Sequence, residues 1–191
     1  MEFLYRGALL GEKGLHVMLE EKPEKLIENI EQGLDWKVQE QIDQGNLILV
    51  SVDSFNWERL MDTIQSYITR HQVKRVVIDT LTLLKMNTPD EYEFRRQIIG
   101  LVGFLENLDC TVLLTSEKNS NKRDDAKYDI EEFVADGVIN LYLVPREQSR
   151  LRVLEILKMR DTDHSSKLSP FKITKNGILI SPDAPMFTDV G

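Results

Sequence analysis

Five short apolar runs constrain the fold of this chain more than any other feature: "LHVMLE" (15–20), "NLILVSV" (46–52), "RVVIDT" (75–80), "CTVLLTS" (110–116) and "GVINLYLV" (137–144). They have the length of strands rather than helices. Their aliphatic, β-branched content suits burial on both faces, as in a parallel sheet. The segments between them are helical in pattern. In "TPDEYEFRRQIIGLVGFLENL" the residues Phe94, Ile98, Leu101, Val102, Leu105 and Leu108 share one helical face. Thr88 is its expected N-cap, with Pro89 in the first turn and Glu91 closing a capping box. A second helix is expected over 54–70, turning Trp57, Leu60, Met61, Ile64, Tyr67 and Ile68 inward, and a third from Pro23 to a C-terminal cap at Gly33. This alternation gives an α/β fold with a mostly parallel sheet flanked by helices.

The last third breaks the alternation. "RLRVLEILKM" (150–159), "PFKIT" (170–174) and "GILIS" (177–181) are strand-like with no helical pattern between them, and "TKNG" marks a turn. Antiparallel strands extending one end of the sheet are expected here. The polar, aperiodic "KNSNKRDDAK" (118–127) reads as an exposed loop. No segment has the composition of a linker, so residues 1–182 are expected to form one core, followed by a tail at 183–191.

Composition narrows the function. A net charge of −8 over 191 residues argues against a broad electrostatic grip on nucleic acid or an anionic membrane. No apolar stretch approaches the ~20 residues needed to span a bilayer. The N-terminal "MEFLYRGALLGEKG" lacks the order of a signal peptide, so a cytoplasmic location is expected. The single cysteine, Cys110, sits in an apolar strand run and reads as a small core residue.

The chemistry concentrates where strands end. Asp79 closes one apolar run, and Glu20 and Glu21 close another. In a parallel sheet all C-terminal strand ends share one edge, where ligands bind. Three carboxylates brought there suit Mg2+ and an attacking water. The plainer alternative is that each acid caps the helix that follows. Thr115, Ser116 and Glu117 end a third strand and bring hydroxyls fit for a phosphate or a bound water. Lys158 and Arg160 occupy alternate positions of "LEILKMRDTDHS", an arrangement that suits either a polyphosphate or two solvated cations on an edge strand. His164 reads as a surface histidine. Three scattered histidines and one cysteine give no transition-metal site.

Six segments carry a family resemblance: "FLYRG" (3–7), "VMLEEKPEKLIENIEQGLDW" (17–36), "VVIDTLTLL" (76–84), "YDIEEFVADGVINL" (128–141), "LEILKMRDTDHS" (154–165) and "PFKIT" (170–174). In this order they resemble the KaiC-like branch of the RecA-type P-loop ATPases over nearly the whole chain. The resemblance implies a RecA-like sheet, ATP and Mg2+ as ligands, and Asp79 as the Walker B aspartate. It places Glu20 and Glu21 at the catalytic glutamate position, Glu21 being the expected base. Lys158 and Arg160 would reach a neighbouring subunit's γ-phosphate in a homo-oligomeric, hexameric ring, with the 118–127 loop near its pore. Protein partners are left unspecified.

Two departures stand out. The chain contains no GxxxxGK[ST] motif, and neither Gly11 nor Gly14 leads into one. In the family "FLYRG" lies on the helix leaving that loop, so the motif and its strand belong just before Met1. The expectation is a portion of a longer ATPase, because Asp79, Glu20, Glu21, Lys158 and Arg160 are all in place. The alternative is a nucleotide-free pseudo-ATPase scaffold or interaction module; a RecA/DnaB-like DNA motor fits the acidic balance poorly. The second departure is Asp161, where the family usually has glycine. Lacking the amide cradle for phosphate, these 191 residues on their own should bind ATP weakly or not at all. Titration with Mg-ATP reads this directly, and saturation at low micromolar concentration would overturn it.

Overall fold

The most deeply buried strand is β1 (Gly14–Met18), enclosed at every position. The computed structural model describes residues 1–52, 56–118, 129–146 and 149–182, which fall into two units, residues 1–127 and 128–191. In the first unit β1 pairs in parallel with β2 (Leu47–Ser51) on one side and β3 (Arg75–Asp79) on the other, and β4 (Thr111–Leu114) joins β3. The order β2-β1-β3-β4 puts the change of winding direction between β1 and β3. In open α/β sheets the ligand crevice lies at that point, outside the C-terminal strand ends.

Residues of alternate parity face opposite ways. His16, Leu47, Leu49 and Val77 share one face by register. Against it lie α1 (Glu2–Leu9), α2 (Pro23–Gly33) and α3 (Val38–Asp43), in a cluster that buries Leu4, Tyr5, Ala8, Ile30, Trp36, Val38, Leu47 and Val77. Tyr5 stacks on Trp36 with ring centroids 5.0 Å apart. Helix α1 lies close against β3, since a Cβ on Gly7 would stand 2.5 Å from Cδ of Arg75. The other face, Leu15, Val17, Val76 and Ile78, is as deeply buried. The matching stripes are Trp57, Leu60 and Ile64 of α4 (Trp57–His71) and Phe94, Ile98, Leu101 and Leu105 of α6 (Glu91–Glu106). At about 2 kcal/mol for each fully buried Leu, Ile or Val, these two layers are what fixes the strand ends in place.

Several local expectations shift. The start of the 54–70 helix lies outside the described residues, and the described part begins at Trp57 under an Asn56 cap. Helix α6 is capped by Asp90, whose carboxylate accepts from the Glu93 N–H at 2.7 Å, and not by Thr88. Thr88 Oγ1 instead accepts from the Trp57 indole at 3.3 Å. Aspartate caps as well as threonine, and a starting point two residues later keeps the same apolar face inward. Gly33 ends α2, followed by extended Leu34. Strand β4 alternates between exposed and half-buried positions rather than being enclosed.

The second unit contains α7 (Ile130–Val134) and an antiparallel sheet of β5 (Gly137–Arg146), β6 (Ser149–Met159), β7 (Ser169–Thr174) and β8 (Gly177–Ile180). The run at 137–144 is therefore not a parallel strand. It is half of a long hairpin, and Ile139, Leu141 and Leu143 project from one exposed face of it. Asn140 and Tyr142 alternate with them on the other, half-buried face. The antiparallel strands form a separate sheet rather than an extension of the parallel one. The loop residues 119–127 and the tail 183–191 lie outside the described residues. Among the described residues no helix is long and apolar enough to cross a membrane.

Candidate functional site

At the C-terminal edge of the parallel sheet a cavity of about 270 Å³ is lined by His16, Met18, Glu20, Glu21, Lys25 and Asp79. Three backbone bonds tie the strand ends together there. Leu19 N–H donates to Asp79 O at 2.8 Å, Val52 N–H to Met18 O at 3.0 Å, and Thr115 N–H to Ile78 O at 3.1 Å. The acids that follow β1 and the acid that ends β3 are thus held side by side by the sheet itself.

Asp79 is not used as a helix cap. The following helix, α5 (Leu81–Met86), is capped by Thr80, whose hydroxyl accepts from Thr82 N–H at 3.3 Å and donates to Thr115 O at 3.1 Å. Glu20 and Glu21 are not caps either, since Lys22 holds the N-cap position of α2 and no side chain caps it. Glu21 accepts from Asn29 Nδ2 at 3.5 Å, and Glu20 is exposed. All three residues line the cavity.

Asp79 is the most tightly managed of them. Thr115 Oγ1 donates to its Oδ1 at 2.6 Å, and His16 Nε2 stands 3.8 Å from its Oδ2. Its carboxyl is held below the usual range, first by the facing His16 ring, then by the Thr115 hydrogen bond, while partial burial works in the opposite direction. At 3.8 Å the His16 approach is electrostatic rather than a hydrogen bond. The N-terminus of α1 is near enough that the Asp79 charge acts on the Met1 amine, which burial pushes down.

The predicted site residues thus divide. The sheet brings Asp79, Glu20 and Glu21 to one cavity, with Thr115 against Asp79. Ser116 follows Thr115 and is exposed, but does not line the cavity. Lys158 and Arg160 belong to the second unit, where both serve the end of α7. Lys158 Nζ donates to the carbonyls of Ala135, Phe133 and Glu132 at 2.6, 2.9 and 3.3 Å. Arg160 Nη1 meets Asp136 Oδ1 at 3.1 Å, and Nη2 meets Phe133 O at 3.3 Å. Cations placed on helix C-terminal carbonyls are favourable there. Burial, then the Arg160 charge, lowers the Lys158 ammonium, against the pull of Asp136. Asp161 takes φ 53°, in the left-handed region where glycine, the residue the family resemblance leads one to expect here, is freest.

His16 and Lys25 went unread in the sequence. His16 is flanked by Leu15 and Val17 and looks like core; the available signal was strand parity, which sets it two residues from the strand end on the face of Asp79. Lys25 sits in the first turn and a half of α2, where a lysine reads as solvated surface. The half-buried Cys110 thiol is pushed up by burial, then by the Asp109 charge, in keeping with its expected inert role.

Hard oxygen donors dominate here, and among the described residues no three of His, Cys, Asp and Glu form a preassembled cage. The Asp79 carboxylate on an open cavity that Glu20 and Glu21 also line fits Mg2+, which keeps its waters and phosphate oxygens. A group with a depressed carboxyl adds stability above its unfolded value, about 3.9, and that contribution fades as pH falls through the folded value. Thr115→Val, which deletes the donor to Asp79, should raise the Asp79 carboxyl toward the ordinary value. The stability gap to the wild type should then narrow on acidification. Carboxyl 13C NMR titration with parallel denaturation measures both; an unmoved Asp79 in the valine variant would contradict the assigned hydrogen bond.

The family model described as "ATPase: KaiC" matches residues 1–185. The circadian clock oscillator protein KaiC of Parathermosynechococcus lividus is 33% identical over 193 residues, an alignment covering 95% of this chain and 36% of that protein. Those of Synechococcus elongatus and Rippkaea orientalis are 32% and 34% identical, each covering 95% of this chain and 37% of theirs. The chain spans a little over a third of the length of these curated relatives. With the parallel sheet and its acid-lined edge, this match over almost the full length places the chain in the KaiC ATPase family.

Proposed function

We propose that the chain is an ATP-binding and ATP-hydrolysing domain that works in a homo-oligomeric, hexameric ring in the cytoplasm, with residues 1–182 as the functional core. The observation that carries this reading is the grouping of Asp79, Glu20 and Glu21 on one cavity at the point where the sheet changes winding direction. Asp79 would hold Mg2+ there, its carboxylate oriented by Thr115. Mg2+ when bound offsets charge on the phosphate oxygens.

Glu21 takes the proton of the attacking water as that water's oxygen bonds to the γ-phosphorus and the bond to the bridging β–γ oxygen breaks. It is less exposed than Glu20 and is oriented by Asn29. Glu20 shares the cavity and adds negative charge that favours the cation. At the γ-phosphate end Thr115 acts through the Asp79 it orients, and Ser116, outside the cavity lining, would supply a hydroxyl. Lys158 and Arg160 act in trans on a neighbour's γ-phosphate, where such a cation is worth about 10³ or more in rate. To do so they exchange the α7 carbonyls for phosphate oxygens.

A second reading is a nucleotide-free scaffold that oligomerises through the same faces. The two readings separate in a version of the chain joined to an N-terminal strand and a GxxxxGK[ST] loop. Glu21→Gln in that background should cut hydrolysis about 100- to 10,000-fold and leave ATP binding largely intact. Loss of rate in Glu20→Gln with a parental Glu21→Gln would move the base to Glu20, and parental rates in both would refute the reading. In the same background, mixing Arg160→Ala subunits with Glu21→Gln subunits should restore activity at interfaces that regain both groups. Mixed assemblies that stay inactive would place Arg160 outside trans catalysis.

A further inference from the structure

His16 is an expensive residue to bury where it stands. Its side chain is 3% exposed, and neither Nδ1 nor Nε2 has a hydrogen-bond partner among the described residues. A leucine or phenylalanine would fill this place on β1 without leaving a polar group unpaired. The register explains why a nitrogen is of use here. His16 pairs with Val77, and Met18 pairs with Asp79, so His16 lies one diagonal step from Asp79 on the same sheet face. His16 lines the cavity, and its Nε2 stands 3.8 Å from Asp79 Oδ2.

The two oxygens of Asp79 are therefore addressed separately, Oδ1 by Thr115 Oγ1 at 2.6 Å and Oδ2 by His16. With one contact a carboxylate still turns about Cβ–Cγ; with two, its plane is set. We propose that His16 is a positioning residue for Asp79, placing Nε2–H against Oδ2 so that the lone pairs turned to the cavity point one way. A neutral imidazole has one N–H, and a carboxylate facing Nε2 selects the tautomer with the proton there. Closing 3.8 Å to hydrogen-bond length takes a shift of under about 1 Å, within reach of a half-exposed aspartate. The purpose of this orientation, presenting Asp79 to a cation, rests on the function proposed above; the contact itself does not.

The test uses the full chain. In 15N-labelled protein at one fixed neutral pH, His16 should be the Nε2–H tautomer, and Asp79→Asn should remove that preference. An Nδ1–H tautomer, or a His16 spectrum indifferent to Asp79→Asn, would overturn the proposal. With Mn2+ as probe, His16→Phe should weaken binding at Asp79 about 10-fold or more, and His16→Gln, which keeps an N–H donor, should recover most of it. Equal Mn2+ affinity in the wild type and the phenylalanine variant also overturns it. If Asp79→Asn leaves Mn2+ binding unchanged, the metal role of Asp79 fails, and the tautomer result alone decides for or against His16. The tautomer comparison needs neither His16 variant, so a phenylalanine variant that does not fold leaves the decision intact.

Discussion

The structure depends on parallel pairing of β1 with β3. The pairing runs from Gly14 opposite Arg75 to Met18 opposite Asp79, and it ends both strands at the same level. Everything of chemical interest in the first unit follows from that level ending. Residues 19–21 leave β1 beside the carboxylate that finishes β3, and Thr115 leaves β4 on the other side of it. The helices on both faces hold this geometry by burying the strands, so that the acids need no contacts of their own to converge. A one-residue slip between β1 and β3 would put Asp79 and His16 on opposite faces and dissolve the site.

How the two kinds of acid escape capping is the second determinant. A carboxylate at a strand end ordinarily has a use waiting for it in the first turn of the next helix. Here Thr80 takes that role for α5, and α2 starts without any side-chain cap. The work of local folding is done by neighbours, and Asp79, Glu20 and Glu21 stay available. The cations of the second unit differ in this respect. Lys158 and Arg160 have structural employment at the end of α7, so any catalytic role requires them to leave it.

Much of this was legible in the sequence, for reasons that particular residues make clear. β1 and β3 announced themselves because strands in the middle of a parallel sheet are apolar at both parities, and Asp79 stood out because it ends such a run. The stripe from Phe94 to Leu105 was visible because burial on one helical face leaves a 3.6-residue period. Less visible was anything that depends on a neighbour far along the chain. "CTVLLTS" reads the same in a central strand and in β4 at the edge, and "GVINLYLV" is as apolar as a parallel strand until its partner β6 is known. Thr88 and Asp90 are both sound caps, and tertiary packing of Trp57 onto Thr88 chose between them. The Thr115–Asp79 bond and the His16 approach join residues 36 and 63 positions apart, and no local pattern encodes them.

The central claim is that the common end of β1 and β3 is the seat of a Mg2+–nucleotide. The most direct measurement is a crystal structure of the chain, extended by a strand and a GxxxxGK[ST] loop, with Mg2+ and a non-hydrolysable ATP analogue. The account predicts the γ-phosphate over the ends of β1 and β3, the metal on the Asp79 side, and Glu21 facing the water in line with the phosphorus. A nucleotide seated elsewhere, or a metal held away from Asp79 by other residues, would contradict it.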